Sequence, residues 1–445
     1  MRNKIALKIG GVGNINKSLS IELNDITVIC GKNNTGKTYL TYSIYGFLRY
    51  FNERNYTLEK LREKFNQVLK NKKSIIYNDD IINSISQAVE NYKNSLGKTL
   101  SIRNQFINNP EFAIENLKDI FDGGCRFSYN GRIGKNQNIT YTKKSNEDFL
   151  LINLNDIDLG STDKGHNEAY ILAIENHLKY IINRTFLSSI PLAQISSVER
   201  TGIAIFQAEL ENNNELDLFS DDHNEYSFKD NYPQAVKDNV KTVKQQIALF
   251  EESPLASEAP YIIDYFNSII GGEYRVIEGR NVVYYPNDNK HYLYLNESSS
   301  SIRALLDLGM YLKHLATKGQ IFIIDEPEMN LHPENQRKIA RVLAMLANYG
   351  IKIVITTHSD FITRELSLLV MLKGRSDLLN NDEIIKRQQY QDQHFLDVNS
   401  INVYSMKNEN NSTYILKEDI DSQHGFSVPS FDSSIDEIYT IYSHL

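Results

Sequence analysis

Apolar positions along this chain follow three spacings, and each spacing predicts an element. Ile26-Thr27-Val28-Ile29-Cys30, Ile321-Phe322-Ile323-Ile324 and Ile351-Lys352-Ile353-Val354-Ile355 are short β-branched runs with almost no polar face. Such runs predict strands covered on both sides, as in a parallel sheet. Helical spacing appears after the first run, from Tyr39 to Leu48, and around the other two, over residues 301–317 and 334–349. The last third therefore alternates helix and strand, the pattern of a parallel α/β layer. A helix followed by a hairpin (Ile401 to Met406, then Thr413 to Leu416) is expected after it.

Between these ends the pattern changes. Leu58, Leu61, Phe65, Val68 and Leu69 share one helical stripe, Ile82, Ile85 and Val89 a second, and Ile171, Ile174, Leu178 and Ile182 a third over residues 167–183. Residues 49–189 are thus read as a mainly helical insertion into a core that begins with residues 1–48 and resumes at 190–205. No heptad repeat runs long enough for an extended coiled-coil arm. Residues 206–272 are expected to hold an acidic, Asn-rich mobile loop (211–232) and helices at 233–251 and 260–270. Residues 273–445 complete the core, opening with hairpin strands at 274–277, 281–285 and 292–295, which turn at Glu278-Gly279 and Asn287-Asp288-Asn289. The expected fold class is α/β, with a mixed or parallel sheet, flanking helices and a largely helical insertion.

Composition narrows the setting. With 445 residues, 41% hydrophobic and 23% charged, the chain has room for one large inserted domain or two or three smaller ones. Cys30 and Cys125 offer neither a disulfide framework nor metal spacing, so a reducing cytoplasm is the expected compartment. No apolar run is long enough to cross a bilayer, and no membrane role is expected. A net charge of −8 argues against a generally basic nucleic-acid coat. The basic cluster Lys60, Arg62, Lys64, Lys70, Lys72, Lys73 reads as a solvated helix face.

The candidate chemistry sits where the buried runs end. Gly31-Lys32-Asn33-Asn34-Thr35-Gly36-Lys37-Thr38 is a complete G-x-x-x-x-G-K-T loop between a strand and a helix. There, backbone N–H groups and the helix end converge on phosphate, Lys37 reaches the β- and γ-phosphates, and the Thr38 hydroxyl ligates Mg²⁺. Gly31, Asn33, Asn34, Thr35, Gly36, Lys37 and Thr38 are therefore the expected nucleotide contacts. Asp325 and Glu326 end the second buried run, at the strand edge where ligands sit in α/β sheets. Asp325 is expected to hold Mg²⁺ and Glu326 to polarise the attacking water. His358, ending the third run in Thr356-Thr357-His358-Ser359, is placed to reach the γ-phosphate. Ser298-Ser299-Ser300-Ser301 opens the helix ahead of the acidic strand, and Ser299 and Ser300 are expected to touch phosphate there. The expected activity is ATP hydrolysis with Mg²⁺; no N-K-x-D guanine motif is present. The other histidines (166, 177, 223, 291, 314, 394, 424 and 444) are scattered and read as surface or packing residues.

In order, these motifs resemble the ABC-type ATPase heads of SMC, RecF and related DNA-maintenance proteins. Asp325-Glu326-Pro327-Glu328-Met329-Asn330-Leu331-His332-Pro333 is similar to the corresponding run of the overcoming-lysogenisation-defect (OLD) ATPases and their anti-phage relatives, and Val198-Glu199-Arg200-Thr201-Gly202-Ile203 to a strand-end segment of the same group. The resemblance covers residues 5–48 and 190 onwards. It implies a homodimer, or a larger even-numbered homo-oligomer, in which Ser299 and Ser300 of one protomer close on nucleotide held by another. Arg303 would transmit closure, and Leu331, His332 and Pro333 would border the interface. A Mg²⁺-sensing glutamine is also implied, with Gln105, Gln194 and Gln207 as candidates. The transporter sequence L-S-G-G-Q is absent at residues 298–301.

OLD nucleases carry a Toprim domain, but the tail after His358 is short for one. Asp419-Ile420-Asp421 matches D-x-D without its βαβ frame, so no intrinsic nuclease is expected. The resemblance thus points to a sensor or regulator that scaffolds and releases a separate Toprim or HNH effector, as in the two-gene PARIS and Septu defence systems. Its trigger would be a phage protein or nucleic acid. The alternative is a RecF-like repair ATPase that binds DNA directly.

Overall fold

A computed structural model of the chain describes residues 5–117, 126–133, 137–145, 147–155, 164–185, 190–205, 232–248, 251–277, 281–287, 291–375, 382–409 and 412–444. Cys125, Gln207, His223, nearly all of the expected 211–232 loop and the tips of both hairpin turns lie outside them. The chain divides into two compact units. One comprises Gly10–Gly46, Gly97–Asn109 and Leu192–Leu445; the other comprises Met1–Ile9, Phe47–Leu96 and Pro110–Pro191.

The larger unit is built on a six-stranded sheet. In chain order its elements are strand β1 (Ile26–Gly31), helix α1 (Lys37–Asn52, which leads out of the unit), β2 (Ala193–Ser196) and α2 (Arg200–Ile205). After these come α3 (Ser300–Ala304), α4 (Leu306–His314), β3 (Ile321–Asp325), α5 (Pro333–Tyr349) and β4 (Lys352–Thr357). The hairpin of β5 (Ile401–Glu409) and β6 (Ser412–Lys417) follows α6 (Asp360–Lys373). The strand order is β6-β5-β1-β4-β3-β2. All neighbours run parallel except the β5–β6 hairpin, with Val28 opposite both Ile355 and Val403, and Ile323 opposite both Val354 and Ile195.

Every residue of β1 and β3 is buried, so neither strand has a solvated face. That is why their sequences lack the alternation of a half-exposed strand. Phe322 stacks on Tyr311 of α4 with ring centroids 4.2 Å apart. Helix α5 starts at His332, whose ring accepts the Glu334 N–H, with Pro333 in the first turn. It stops at Gly350, whose φ of 108° is left-handed and cheap only for glycine. Glu365 of α6 lies between Arg337 and Arg341 of α5 at 2.7 Å from each, clamping the two helices together.

Two expectations are corrected within this unit. The single helix over 301–317 is two helices, broken at Leu305, because the Ala304 carbonyl accepts a hydrogen bond from Arg200. The tail also continues past the hairpin into a helix, Pro429–His444.

The smaller unit corrects the largest expectation, that residues 49–189 are mainly helical. Helices Arg62–Asn71, Asn78–Asn94 and Lys164–Thr185 lie on the stripes read from sequence. They are joined by a four-stranded antiparallel sheet ordered Lys73–Tyr77, Phe149–Asn155, Gln137–Lys143, Phe127–Ile133. Leu150, Ile152 and Leu154 point inward and alternate with half-exposed neighbours, a period of two that fixes strand over helix. Residues 97–109, expected within the insertion, belong to the larger unit. The basic cluster is solvated, apart from half-buried Lys64, and its Arg62 pairs with Glu168 at 2.5 Å.

Candidate active site

Parallel strands β1, β3 and β4 end at one edge of the sheet, and the candidate residues leave from that edge. The loop after β1 takes three backbone conformations with positive φ: Gly31 at 154°, Asn34 at 65° and Gly36 at 90°. At Gly31 a side chain is also excluded by space, since a Cβ would lie 2.5 Å from the Met406 carbonyl oxygen of β5. Asn33 and Asn34 are exposed, with the Asn34 carbonyl accepting from Asn14 Nδ2 at 3.1 Å. The Thr35 hydroxyl donates to the Lys32 carbonyl at 2.9 Å and tightens the turn.

Lys37 folds back over this loop. Its ammonium donates to the carbonyls of Gly31 and Lys32 at 2.9 and 3.0 Å. Burial pushes its pKa down, against the opposing pull of Glu326, Asp325 and Glu328. A desolvated cation held by the loop's own carbonyls is thus ready for a polyanion.

Thr38 and Asp325 meet, the hydroxyl donating to Asp325 Oδ2 at 3.3 Å. Asp325 is almost fully buried, which raises its pKa to about 6 against the hydrogen bonds from Thr356 and Thr38. The Thr356 hydroxyl donates to Asp325 Oδ1 and accepts the Glu326 N–H at 3.2 Å. Two hard oxygens side by side, one of them a carboxylate whose charge burial disfavours, suit a small divalent cation.

Glu326 has a left-handed backbone, φ 51°, a conformation that costs a non-glycine residue about 1–3 kcal/mol and is kept where neighbours enforce it. Here its N–H donates to the Thr356 carbonyl and its own carbonyl accepts from Arg200. Its carboxylate lies 3.4 Å from His358 Nδ1. The hydrogen bond from His358 lowers the Glu326 pKa, and the same bond raises that of His358. Glu326 thus stays ionised, as a base must, while the imidazole favours its charged form.

Three further residues complete the arrangement, and sequence reasoning gave none of them a role. Glu328, buried, accepts from the Thr357 hydroxyl and the His358 N–H, both at 2.8 Å, and lies 3.5 Å from His358 Nδ1. Thr356 orients Asp325 as described. Arg200 is fully buried behind the carboxylates. Each stood inside a quoted motif, and the surviving signal was a polar residue embedded in or beside an apolar run.

The structure brings Lys37, Thr38, Asp325, Glu326 and His358 together. Ser299 and Ser300 lie at the start of α3, as its N-cap and first residue, and neither is hydrogen-bonded to those five. The Ser299 hydroxyl caps that helix at Ile302 N, 3.4 Å away, and meets the Ser301 hydroxyl at 2.9 Å. Arg303 turns back to the carbonyls of Leu295 and Ser298. Gln105 is exposed, and Gln194 lines a small cleft with Asn239 and Asp307; neither is hydrogen-bonded to the site. His177 packs against Tyr129 and Tyr141, and His394 is fully buried. Asp421 caps an exposed turn through the N–H groups of Gln423 and His424. Among the described residues no helix is long and apolar enough to cross a membrane.

Residues 13–363 match the protein family described as AAA ATPase domain (AAA_15). No curated protein matches the chain. Similar solved structures include an SMC head bound to the C-terminal winged-helix domain of ScpA, at 12% identity and TM-score 0.41, covering 93% of this chain and 98% of that one. The SMC head domain from Thermotoga maritima aligns at 13% identity and TM-score 0.33 over 94% and 100% of the two chains. An SMC head with an extended coiled coil, bound to a ScpA domain derived from Pyrococcus furiosus, aligns at 12% and 0.38 over 99% and 100%.

Proposed function

The chain belongs to the AAA ATPase domain family, and from that premise we propose that it binds ATP on the 31–38 loop and hydrolyses it at the edge of β1, β3 and β4. The observation that carries this reading is the convergence of five residues from three strand ends, with Thr38 at 3.3 Å from Asp325 and Glu326 at 3.4 Å from His358. Lys37 pairs with the β- and γ-phosphates once it leaves the loop carbonyls. Thr38 and Asp325 would hold Mg²⁺, which supplies charge neutralisation between the phosphates. Glu326 takes a proton from the attacking water. His358, with its Nδ1 turned to Glu326 and Glu328, keeps Nε2 for the γ-phosphate.

The test is Glu326→Gln, which keeps the shape and removes the base. It should bind ATP with near wild-type affinity and stop turning over, whereas Lys37→Ala should lose binding. Wild-type turnover by Glu326→Gln would end the assignment.

We further propose that two copies close head to tail, with Ser299 and Ser300 of one completing the nucleotide site of the other. Support comes from the motif resemblance and from the Ser299 hydroxyl, whose hydrogen bonds go to Ser301 and Ile302 and not to the 31–38 loop of its own chain. Mixing a Lys37→Ala chain with a Ser299→Arg chain should restore part of the activity that each lacks alone. No recovery would favour a site complete in one copy. The run 325–333 supports a sensor or regulator that holds and releases a separate nuclease effector in anti-phage defence. Release of a co-purified nuclease on ATP turnover tests that role.

A further inference from the structure

Arg200 has the least obvious reason to be where it is. It is the largest fully buried side chain among the described residues, and its guanidinium is satisfied wholly by backbone carbonyls. Nε donates to Ala304 at 3.0 Å, Nη1 to Ser197 at 3.1 Å and to Asp325 at 2.6 Å, and Nη2 to Glu326. Its charge is balanced by Asp307, Asp325, Glu328 and Glu326 around it. Two of its four acceptors are thus the backbones of the carboxylates proposed for Mg²⁺ and for water. A third is the last residue of the Ser-rich helix α3.

We propose that Arg200 is a positioning residue that couples α3 to the catalytic carboxylates, so that movement of α3 against nucleotide re-aims Glu326. This rests on the ATPase reading given above. Three observations carry it. The guanidinium is a rigid planar fork, so its donors cannot follow separate partners. A displacement of Ala304 must be shared by the carbonyls of Asp325 and Glu326 or must break charge-assisted hydrogen bonds.

Glu326 is also the responsive element. Its left-handed backbone (φ 51°) is pinned by its N–H on Thr356 and its carbonyl on Arg200; releasing either end frees the turn that aims the carboxylate. Finally, the seat of Arg200 is fixed. Ser197 gives its N–H and hydroxyl to Asn239 Oδ1, each at 3.0 Å, and Asn239 Nδ2 donates to Asp307 at 2.7 Å. Asp307 also accepts from Ser196 at 3.1 Å. Motion entering at α3 therefore has little outlet toward β2 and passes to the end of β3.

The experiment uses the full chain with Mg²⁺ and a fluorescent ATP analogue. Arg200→Lys keeps the charge but cannot span four acceptors. In the folded variant we expect analogue affinity within about threefold of wild type and turnover reduced by about 10- to 100-fold. A role confined to stability would lower the melting temperature without splitting binding from turnover. Ser299→Ala should slow the wild type, and in the Arg200→Lys background it should add only the loss of its own phosphate contact, less than the full multiplicative effect, since the link is already cut. Turnover within twofold of wild type, affinity falling in step with turnover, or fully multiplicative effects of the two changes would each overturn the inference.

If Arg200→Lys does not fold, Ala304→Gly loosens the end of α3 and leaves the arginine in place. It should slow turnover several-fold at unchanged affinity, and unchanged turnover would overturn the coupling. Glu326→Gln serves as the reference throughout. Should it turn over like wild type, the ATPase reading fails; should it be inactive while the Arg200 and Ala304 variants are normal, only the coupling fails.

Discussion

Glu365→Gln removes the charge that two arginines share between α5 and α6, and its cost follows from what each arginine can do next. Arg337 is a third exposed and turns to water, whereas Arg341 is 4% exposed and cannot. Without the carboxylate, Arg341 keeps the Gln388 carbonyl at 2.8 Å and the Tyr390 ring 4.0 Å from its guanidinium carbon. Tyr390 itself loses a charged acceptor at 2.8 Å. Removing one partner of a buried pair costs about 3–5 kcal/mol. The amide still accepts one hydrogen bond, so Gln should fall near the lower end and Ala near the upper. At about 2.1 cal/mol/K per residue over the roughly 300 residues of the larger unit, each kcal/mol shifts melting by about 1.5 °C, so it should drop by about 5–8 °C. Urea titration and a thermal melt measure it. The counter-perturbation is Glu365→Leu with Arg341→Met, which replaces the pair by apolar groups and should regain most of the loss. A cost under about 1 kcal/mol for Glu365→Gln would mean the pair behaves like a surface one. Either that result or a double variant worse than the single would refute the reasoning.

Other outcomes follow from the same contacts. His394 is fully buried with Nε2 unpartnered, and burial, aided by the nearby Arg341 charge, pushes it down to about 4. Because the unfolded ring titrates near 6.5, the unfolded chain binds more protons between about pH 4 and 6.5, and stability should fall as pH drops through that window. His394→Asn, which keeps an acceptor for Gln391 N–H, should flatten the slope by up to about 1.4 kcal/mol per pH unit; an unchanged slope would contradict the burial argument. Gly31→Ala places a Cβ 2.5 Å from the Met406 carbonyl oxygen, so ATP-analogue binding should fall at least tenfold, as read by titration. Thr356→Val keeps shape but removes the hydroxyl that Asp325 and Glu326 share. At about 1–3 kcal/mol for an unmet buried partner, it should slow Mg²⁺-dependent turnover by tenfold or more in a single-turnover assay.

What could be read beforehand was local. The 31–38 loop, the Asp325-Glu326 pair and His358 each end an apolar run, and adjacency in sequence is adjacency at a strand end. Arg200, Thr356 and Glu328 were invisible as site residues because their partners lie tens to more than a hundred positions away. Their chemistry is mostly the satisfaction of backbone and side-chain polar groups by tertiary contact, which leaves no periodic trace. The small antiparallel sheet was missed for another reason. In Lys73-Ser74-Ile75-Ile76-Tyr77 the buried positions are Ser74 and Ile76 while Ile75 is only half-buried, so hydrophobicity alone obscures the alternation. The break at Leu305 was equally hidden, since it arises from the buried arginine bonded to the preceding carbonyl.

Strand β1, at residues 26–31, is paired on one side with residues 352–357 and on the other with residues 401–409. On a ribosome the phosphate cradle therefore emerges ahead of both partners and waits through hundreds of further residues before either neighbour exists. Until then its apolar strand has no parallel partner and the Met406 carbonyl is not yet beside Gly31. A nascent chain is thus unable to close this sheet around β1 prematurely. Newly made protein should acquire its nucleotide grip abruptly, once residues 401–409 are free to pair, rather than by degrees.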